Sequence, residues 1–448
     1  MTTTPTSQTS VRELAEQCWQ GTADLERDLH PVHTRFADAE EIDDGLLLFT
    51  GTASANALDT GDGLVLLDTG GAPEADDLFA QVRRWRSAPL AAAVFSHHHI
   101  DHVGGTGPFE REAEERGVAG PVVYGHAVMA EHFDRYLRTL DLNARLNRRQ
   151  FGFARNFTWP QSFRYPDHTY TDRFTFRRGE LTFELHHARG ETEDHTWTWI
   201  PERRILHPGD LFIWGVPNAG NPQKVQRYAG EWAAALREMA ALGAELLLAG
   251  HGLPIFGADR IRQALTDTAD LLDSLVQQTL DLMNQGLPLD TVIHEVTPPA
   301  HLLERPYLRP VYDHPQFLVR NIWRRFGGWY DGEPDNLLPA PRAQQAREWV
   351  ALAGGVTAVL ERARALADAG ELALACHLVE HAVVASGGAP EAHRLRAEVY
   401  AARAAEQTSS MARNILDHAA VSSSRGVRDL ASSPDEVPVS WEEARRTS

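Results

Sequence analysis

From about residue 42 to residue 258 the chain alternates short apolar runs with longer amphipathic ones. "GLLLFTGTASANALDTGDGLVLLDTGG" gives brief β-rich stretches broken by Gly and Asp. "EADDLFAQVRRW" reads as a helix, "LAAAVFS" as a buried strand, "EREAEERG" as a helical segment and "PVVYG" as the next strand. Residues 130 to 150 read as helical. "FTFRRGELTFELHHA" and "HTWTWIPERRILHPGD" follow as hairpin-like strands, with turns at Arg178-Gly179 and Pro201-Glu202. "YAGEWAAALREMAALG" is a helix, and "AELLLAGHG" is a strand that ends in a loop. Strands in two clusters with helices between them predict sheets covered by helices, an α/β or α+β sandwich.

After about residue 258 the pattern changes. "DRIRQALTDTADLLDSLVQQTLDLMNQG" carries one apolar stripe at helical spacing and predicts a long helix. A Pro- and aromatic-rich section follows, then Ala-rich helical segments from about 341 to 421, broken at "AGG", "DAGE" and "ASGGAPEAH". Paired helices with Gly at the breaks predict a small helical-repeat or bundle module. The extreme N-terminus and the polar segment 422–448 read as loosely ordered. This places an N-terminal extension at 1–30, a first domain at 31–258, a helical domain at 259–421 and a polar tail at 422–448. Two or three domains suit 448 residues.

Charge and cysteine content narrow the function. A net charge of −19 argues against a nucleic-acid partner, which needs a basic face. It leaves room for a small anionic substrate in a locally cationic site. Cys18 and Cys376 stand far apart, so neither a disulfide framework nor a thiolate metal site is expected. The opening "MTTTPTSQTSVRELAEQ" lacks the basic and apolar regions of a secretory signal. No uncharged apolar run reaches the roughly 20 residues of a membrane span. A cytoplasmic location is expected.

The candidate chemistry lies in "AVFSHHHIDHVGG". Residues two apart in an extended loop point the same way, so His97 and His99 can grip one metal ion. Asp101 and His102 would face a second. Imidazole nitrogen and carboxylate oxygen suit zinc, but four ligands cannot close two sites. Three further residues stand at strand ends: His195 in "GETEDHTWTW", Asp210 in "RILHPGDLF" and His251 in "AELLLAGHG". They complete His97, His99 and His195 at one metal and Asp101, His102 and His251 at the other, with Asp210 between. Asp101 and Asp210 count as catalytic groups as well as ligands. His98 is expected to point away, and His186, His187 and His207 to be packing or supporting residues.

"HHHIDH" fits the HxHxDH signature of the metallo-β-lactamase superfamily, and "DHTW", "PGD" and "GHG" follow in that family's order. "LLDTGG" resembles the family's early strand and turn, which implies Asp68 as a support behind the metals. The resemblance covers roughly residues 40 to 258. It implies an α/β fold, the metallo-β-lactamase αββα sandwich, and two Zn²⁺ per chain, with iron or manganese also suited to this ligand set. Two divalent cations against Asp101 and Asp210 leave a net positive centre, suited to hydrolysis of an anionic ester by a metal-bound hydroxide.

Residues 259 to 420, with "GGWYDG" and the "AGG…AGE" breaks, resemble the all-α helical dimerisation domain of the alkyl sulfatases. That resemblance implies a homodimer and an alkyl sulfate or similar anionic ester. Asn218, Asn221, Lys224 and Arg227 in "GVPNAGNPQKVQRYAGEW" offer amide and cationic donors for the anion. Tyr228, Tyr307, Tyr312 and Trp329 either line an apolar pocket or pack in a core or interface. Two features differ from the surfactant-degrading alkyl sulfatases. His195 and Asp210 stand where those enzymes use glutamates in part of the metal shell, and their sterol-carrier-like C-terminal domain is not seen here. The alternative is a β-lactamase-, lactonase- or thioesterase-like acyl hydrolase on the same metals. On this reading, Arg227→Ala should disable a sulfatase and spare an acyl hydrolase.

Overall fold

A computed structural model describes residues 9–32, 39–152 and 157–432. Residues 1–8 of the expected extension and 433–448 of the expected tail lie outside the described residues. The first sheet holds seven strands in chain order: β1 (Ala39–Asp43), β2 (Leu46–Thr50), β3 (Ser54–Asp59), β4 (Leu64–Leu67), β5 (Leu90–Val94), β6 (Val122–His126) and β7 (His168–Tyr170). Its first half is antiparallel, and from β4 onward neighbours run parallel. The second sheet runs from β8 (Arg173–Arg178) through β9 (Leu181–His187), β10 (Thr196–Ile200), β11 (Ile205–Ile213) and β12 (Leu246–His251) to β13 (Ile255–Phe256). Only β11 and β12 pair in parallel there. Both predicted hairpin turns fall where "RG" and "PE" place them, between β8 and β9 and between β10 and β11.

Every residue of β4, β10, β11 and β12 is buried. Continuous apolar strands of this kind must be covered on both faces. Leu46, Leu48, Leu58, Val65 and Leu67 of one sheet share a core with Phe183, Leu185, Trp197 and Leu211 of the other. Helix Ala75–Trp85 packs on the first sheet, and helices Ala229–Ala240 and Ala258–Asn284 on the second. The layers are helix, sheet, sheet, helix, as the α/β reading requires.

The chain divides into two compact units. One comprises residues 1–138 and 160–329, the other residues 139–159 and 330–448. The division therefore falls 71 residues later than the sequence boundary at 258/259. The long helix Ala258–Asn284 presents Ile261, Ala264, Leu265, Thr268, Leu272 and Leu275 along one stripe, and all are buried. That stripe packs on helix Ala229–Ala240 and on helix Pro315–Gly327, so it completes the first unit's core. The described part of the expected extension also contributes to that core. Helix Val11–Trp19 starts in a Ser10/Glu13 capping box and buries Val11, Ala15 and Cys18.

The second unit is all helix. Arg342–Leu352, Val356–Asp368, Leu372–Ala385, Pro390–Ala405 and Ser410–Ser424 pack in succession, and Leu140–Phe151 joins the last of them. The buried Arg396 guanidinium holds Glu380 at 2.6 Å and donates to Ser423 and the Ala419 carbonyl. The last helix thus runs past residue 421, with Ser422 and Ser423 buried rather than in a polar tail.

Candidate metal centre

The apolar strands of both sheets deliver their polar ends to one edge. Asp68 follows β4, the segment Ser96–Gly105 follows β5, Glu191–His195 links β9 to β10, Asp210 lies in β11, and His251 ends β12. Glycine allows the close approach. A Cβ on Gly105 would lie 2.0 Å from the Thr69 carbonyl oxygen, so the histidine loop rests directly on the backbone after Asp68. A Cβ on Gly250 would lie 2.2 Å from Asp210 Oδ1. Larger residues at either position would push the loops apart.

Two donor groups result. His97, His99, Glu191 and Asp210 bring one ligand atom each within 4.8 Å of one another, and Asp101, His102 and His251 form a second such group. Asp210 stands between them. Its Oδ1 lies 3.4 Å from His102 Nε2, and its Oδ2 lies 3.2 Å from His251 Nε2 and 4.0 Å from His97 Nε2. Asp101 Oδ2 lies 3.5 Å from His251 Nε2 and 3.8 Å from His102 Nε2.

The outer nitrogens are fixed by partners, which turns the inner ones to the centre. His102 Nδ1 meets Asp68 at 2.7 Å, and His251 Nδ1 meets the Thr52 carbonyl at 2.8 Å. Ser96 Oγ stands 2.7 Å from Asp68 Oδ2 and 2.9 Å from His97 Nδ1, and the Ser96 amide donates to Asp68 Oδ1. Asp68 thereby supports one imidazole of each group. It does so with φ at 54°, in the left-handed region. Burial opposes its charge, but His102 and its other partners keep its carboxyl below the usual range.

Charge in the centre is unevenly shared. Burial alone would discharge His251, yet Asp210 lifts it to about 9; His102 is raised in the same way by Asp210, Asp68 and Asp101. Burial pushes Glu191 up to about 8, with the neighbouring Asp210 adding to the rise. Burial, with His102 and His99 nearby, lowers His97 well below the ordinary imidazole range. His102 Nε2, Glu191 Oε2 and Asp210 Oδ1 are buried with no hydrogen-bond partner among the described residues. Orphaned donors of opposite character converging on one point fit divalent cations.

His195 does not join either donor group. Its ring stacks on His97 with centroids 4.6 Å apart, and its Nε2 faces the Pro208 carbonyl at 3.1 Å. Room for it exists because Gly209 has no side chain: a Cβ there would lie 2.7 Å from His195 Nε2. Glu191, four residues earlier, supplies the donor instead, with Oε2 3.7 Å from His97 Nε2.

Of the anion candidates, Arg227 and Asn218 are turned inward. Arg227 Nη1 and Asn218 Nδ2 both donate to Glu191 Oε1, and Arg227 also donates to the Asn218 carbonyl at 2.7 Å. Asn221 is buried, with Nδ2 lacking a hydrogen-bond partner among the described residues. Half-buried Lys224 is lowered to about 8 by burial and by Arg227. Asp313, which the sequence reading passed over, holds this loop by accepting from the Gly220 amide at 2.7 Å. His98 turns away to Asp194, His186 stacks on Trp197, and His187 meets the Glu193 carbonyl. His207 is buried beside Asp68, at 3.6 Å. Tyr307 and Tyr312 are buried, Tyr228 is half-buried and Trp329 is exposed.

The Metallo-beta-lactamase superfamily model matches residues 48–251, which contain every donor above, and the Alkyl sulfatase dimerisation model matches residues 289–426. The chain carries a metallo-beta-lactamase superfamily domain followed by an alkyl sulfatase dimerisation domain. A linear primary-alkylsulfatase from Pseudomonas sp. is 27% identical over 328 residues, 67% of this chain and 60% of the relative. An (R)-specific secondary-alkylsulfatase from Pseudomonas sp. is 28% identical over 405 residues, 84% of this chain and 60% of the relative. The chain therefore spans about three fifths of the length of these curated relatives. The solved stereoselective inverting sec-alkylsulfatase Pisa1 from Pseudomonas sp. superposes with a TM-score of 0.78 at 25% identity, covering 87% of this chain and 66% of that one. A metallo-beta-lactamase-fold α/β domain followed in the chain by an all-helical region is the fold class that the sequence resemblance implied.

Proposed function

We propose that this protein hydrolyses alkyl sulfates or similar anionic esters, with two divalent cations, zinc by ligand type, as cofactors. The observation that carries the reading is the pair of buried donor groups joined by Asp210, in a chain whose relatives are alkylsulfatases. His97, His99 and Glu191 would hold one cation and Asp101, His102 and His251 the other, with Asp210 shared. Such a pair supplies activated water and a positive field for a leaving sulfate oxygen. Asp68, Ser96 and the Thr52 carbonyl keep the imidazole tautomers that face inward. Lys224 and the Asn221 amide, on the loop anchored by Asp313, are assigned to the substrate anion. Release of inorganic sulfate from a short alkyl sulfate, beside lactone and thioester panels, tests the assignment. Sulfate release with poor acyl turnover is expected, and turnover confined to acyl substrates would overturn it.

The same reading includes a homodimer. Among the described residues of the helical unit, Leu338 is 91% exposed, Leu352 80% and Trp349 61%. Large apolar side chains so exposed on an alkyl sulfatase dimerisation domain support a surface covered by a second copy. Light scattering should give a dimer at micromolar concentration, and Leu338→Asp with Leu352→Asp should shift it toward monomer. A monomeric wild-type chain would contradict the proposal. A cytoplasmic location goes with this reading, supported by two cysteines that are buried and unpaired; cell fractionation checks it.

A further inference from the structure

Arg227 was the natural candidate for receiving a sulfate, since a guanidinium matches two oxygens of a tetrahedral anion. Its position argues otherwise. Arg227 is 2% exposed and Glu191 1% exposed, and the two are in direct contact through Nη1 and Oε1. Nη1 also donates to the Asn218 carbonyl at 2.7 Å, while the Asn218 amide donates to the same Glu191 oxygen. Oε1 of Glu191 is thus saturated. Oε2 has no hydrogen-bond partner among the described residues and is the oxygen nearest His97 Nε2, at 3.7 Å.

We infer that Arg227, with Asn218, is a positioning residue for Glu191, fixing which carboxylate oxygen faces the first donor group and offsetting its charge. Three carboxylates face the centre: Asp101, Glu191 and Asp210. Without Arg227 the third would cancel much of the positive field that an anionic substrate needs. With Arg227 on its outer oxygen, the set His97, His99 and Glu191 carries no net charge, as three imidazoles would. A cation paired to a carboxylate at this depth is a poor receptor for a second anion, because the substrate would have to displace Glu191. Anion contact then falls to Lys224 and Asn221. This inference rests on the two-cation reading above.

A mutant cycle tests it. Zinc affinity would be measured on the full chain by chelator competition, alongside kcat and KM for a short alkyl sulfate, in Arg227→Met, Glu191→Gln and the double variant. Residues that act as one unit give non-additive effects. Arg227→Met is expected to weaken one of the two zinc sites about 10–100-fold, the range for partners of metal ligands. The double variant should bind zinc no more weakly than Glu191→Gln alone. Asn218→Ala, which removes the smaller partner of the same oxygen, should weaken the same site by a lesser factor; it carries the test, in its own cycle with Glu191→Gln, should Arg227→Met fail to fold. Unchanged zinc affinity with a raised KM and unaltered kcat in Arg227→Met, or strictly additive losses in the double variant, would overturn the inference and return Arg227 to the substrate. A wild-type chain that binds no zinc would instead bring down the two-cation reading beneath it.

Discussion

Asp210→Ala is expected to lower sulfate-ester hydrolysis by about a thousandfold or more and to reduce bound metal from two ions per chain toward one. The residue reaches both donor groups, with an oxygen 3.2 Å from His251 Nε2 in one and 4.0 Å from His97 Nε2 in the other. Removing it leaves each group a ligand short and takes away the carboxylate that raises His102 and His251. Loss of several kcal/mol of charge stabilisation in the transition state corresponds to this factor at ~1.4 kcal/mol per decade. The fold should survive, because Asp210 is a polar member of a strand whose other residues stay packed. Metal analysis and initial rates on the variant, with circular dichroism as the folding control, check it. Full activity would remove Asp210 from the centre.

Asp68→Asn should act on both donor groups through one substitution. The carboxylate binds His102 Nδ1 directly and His97 through the Ser96 hydroxyl. An amide at this place keeps the size and tolerates the left-handed backbone at φ 54°, so the variant isolates the lost charge. Zinc affinity is expected to fall about 10–100-fold. Asp68→Ala should do the same and also cost ~1–2 kcal/mol in stability for a left-handed non-glycine residue. Thermal melts should therefore separate the two variants while metal titrations group them. Equal zinc binding in Asp68→Asn and the wild type would show that the carboxylate's charge does not support the imidazoles.

Much of this was legible in the chain because the donors stand in short segments after buried strands. "HHHIDH", "PGD" and "GHG" each follow an apolar run, and a parallel strand delivers its last residues to the same edge as its neighbours. Asp68 was legible only through the resemblance of "LLDTGG" to the family's early strand and turn. Glu191 was not, since "GETEDH" offers several acids in a row, and in sequence a carboxylate that faces a buried donor group looks like a solvated loop acid. Only burial separates Glu191, at 1% exposed, from Glu193 two residues on. His195 drew the assignment because imidazole is the commoner ligand; its place behind His97 depends on the missing side chain of Gly209. Arg227 was legible as a cation, but sequence does not give the carboxylate it faces. The boundary at 258 differs from the division into compact units at 329/330 for another reason. An apolar stripe such as Ile261–Leu275 predicts that a helix is covered, and leaves open which unit covers it.

The central claim is a two-cation centre shared by Asp210 that drives sulfate-ester hydrolysis. Its most direct test is to strip the purified full chain of metal, return zinc in steps, and follow inorganic sulfate release from a short alkyl sulfate against bound zinc. Activity that rises with zinc and saturates at two ions per chain is the predicted result. Sulfate release at full rate by the metal-free chain, or a chain that takes up no zinc, would contradict it.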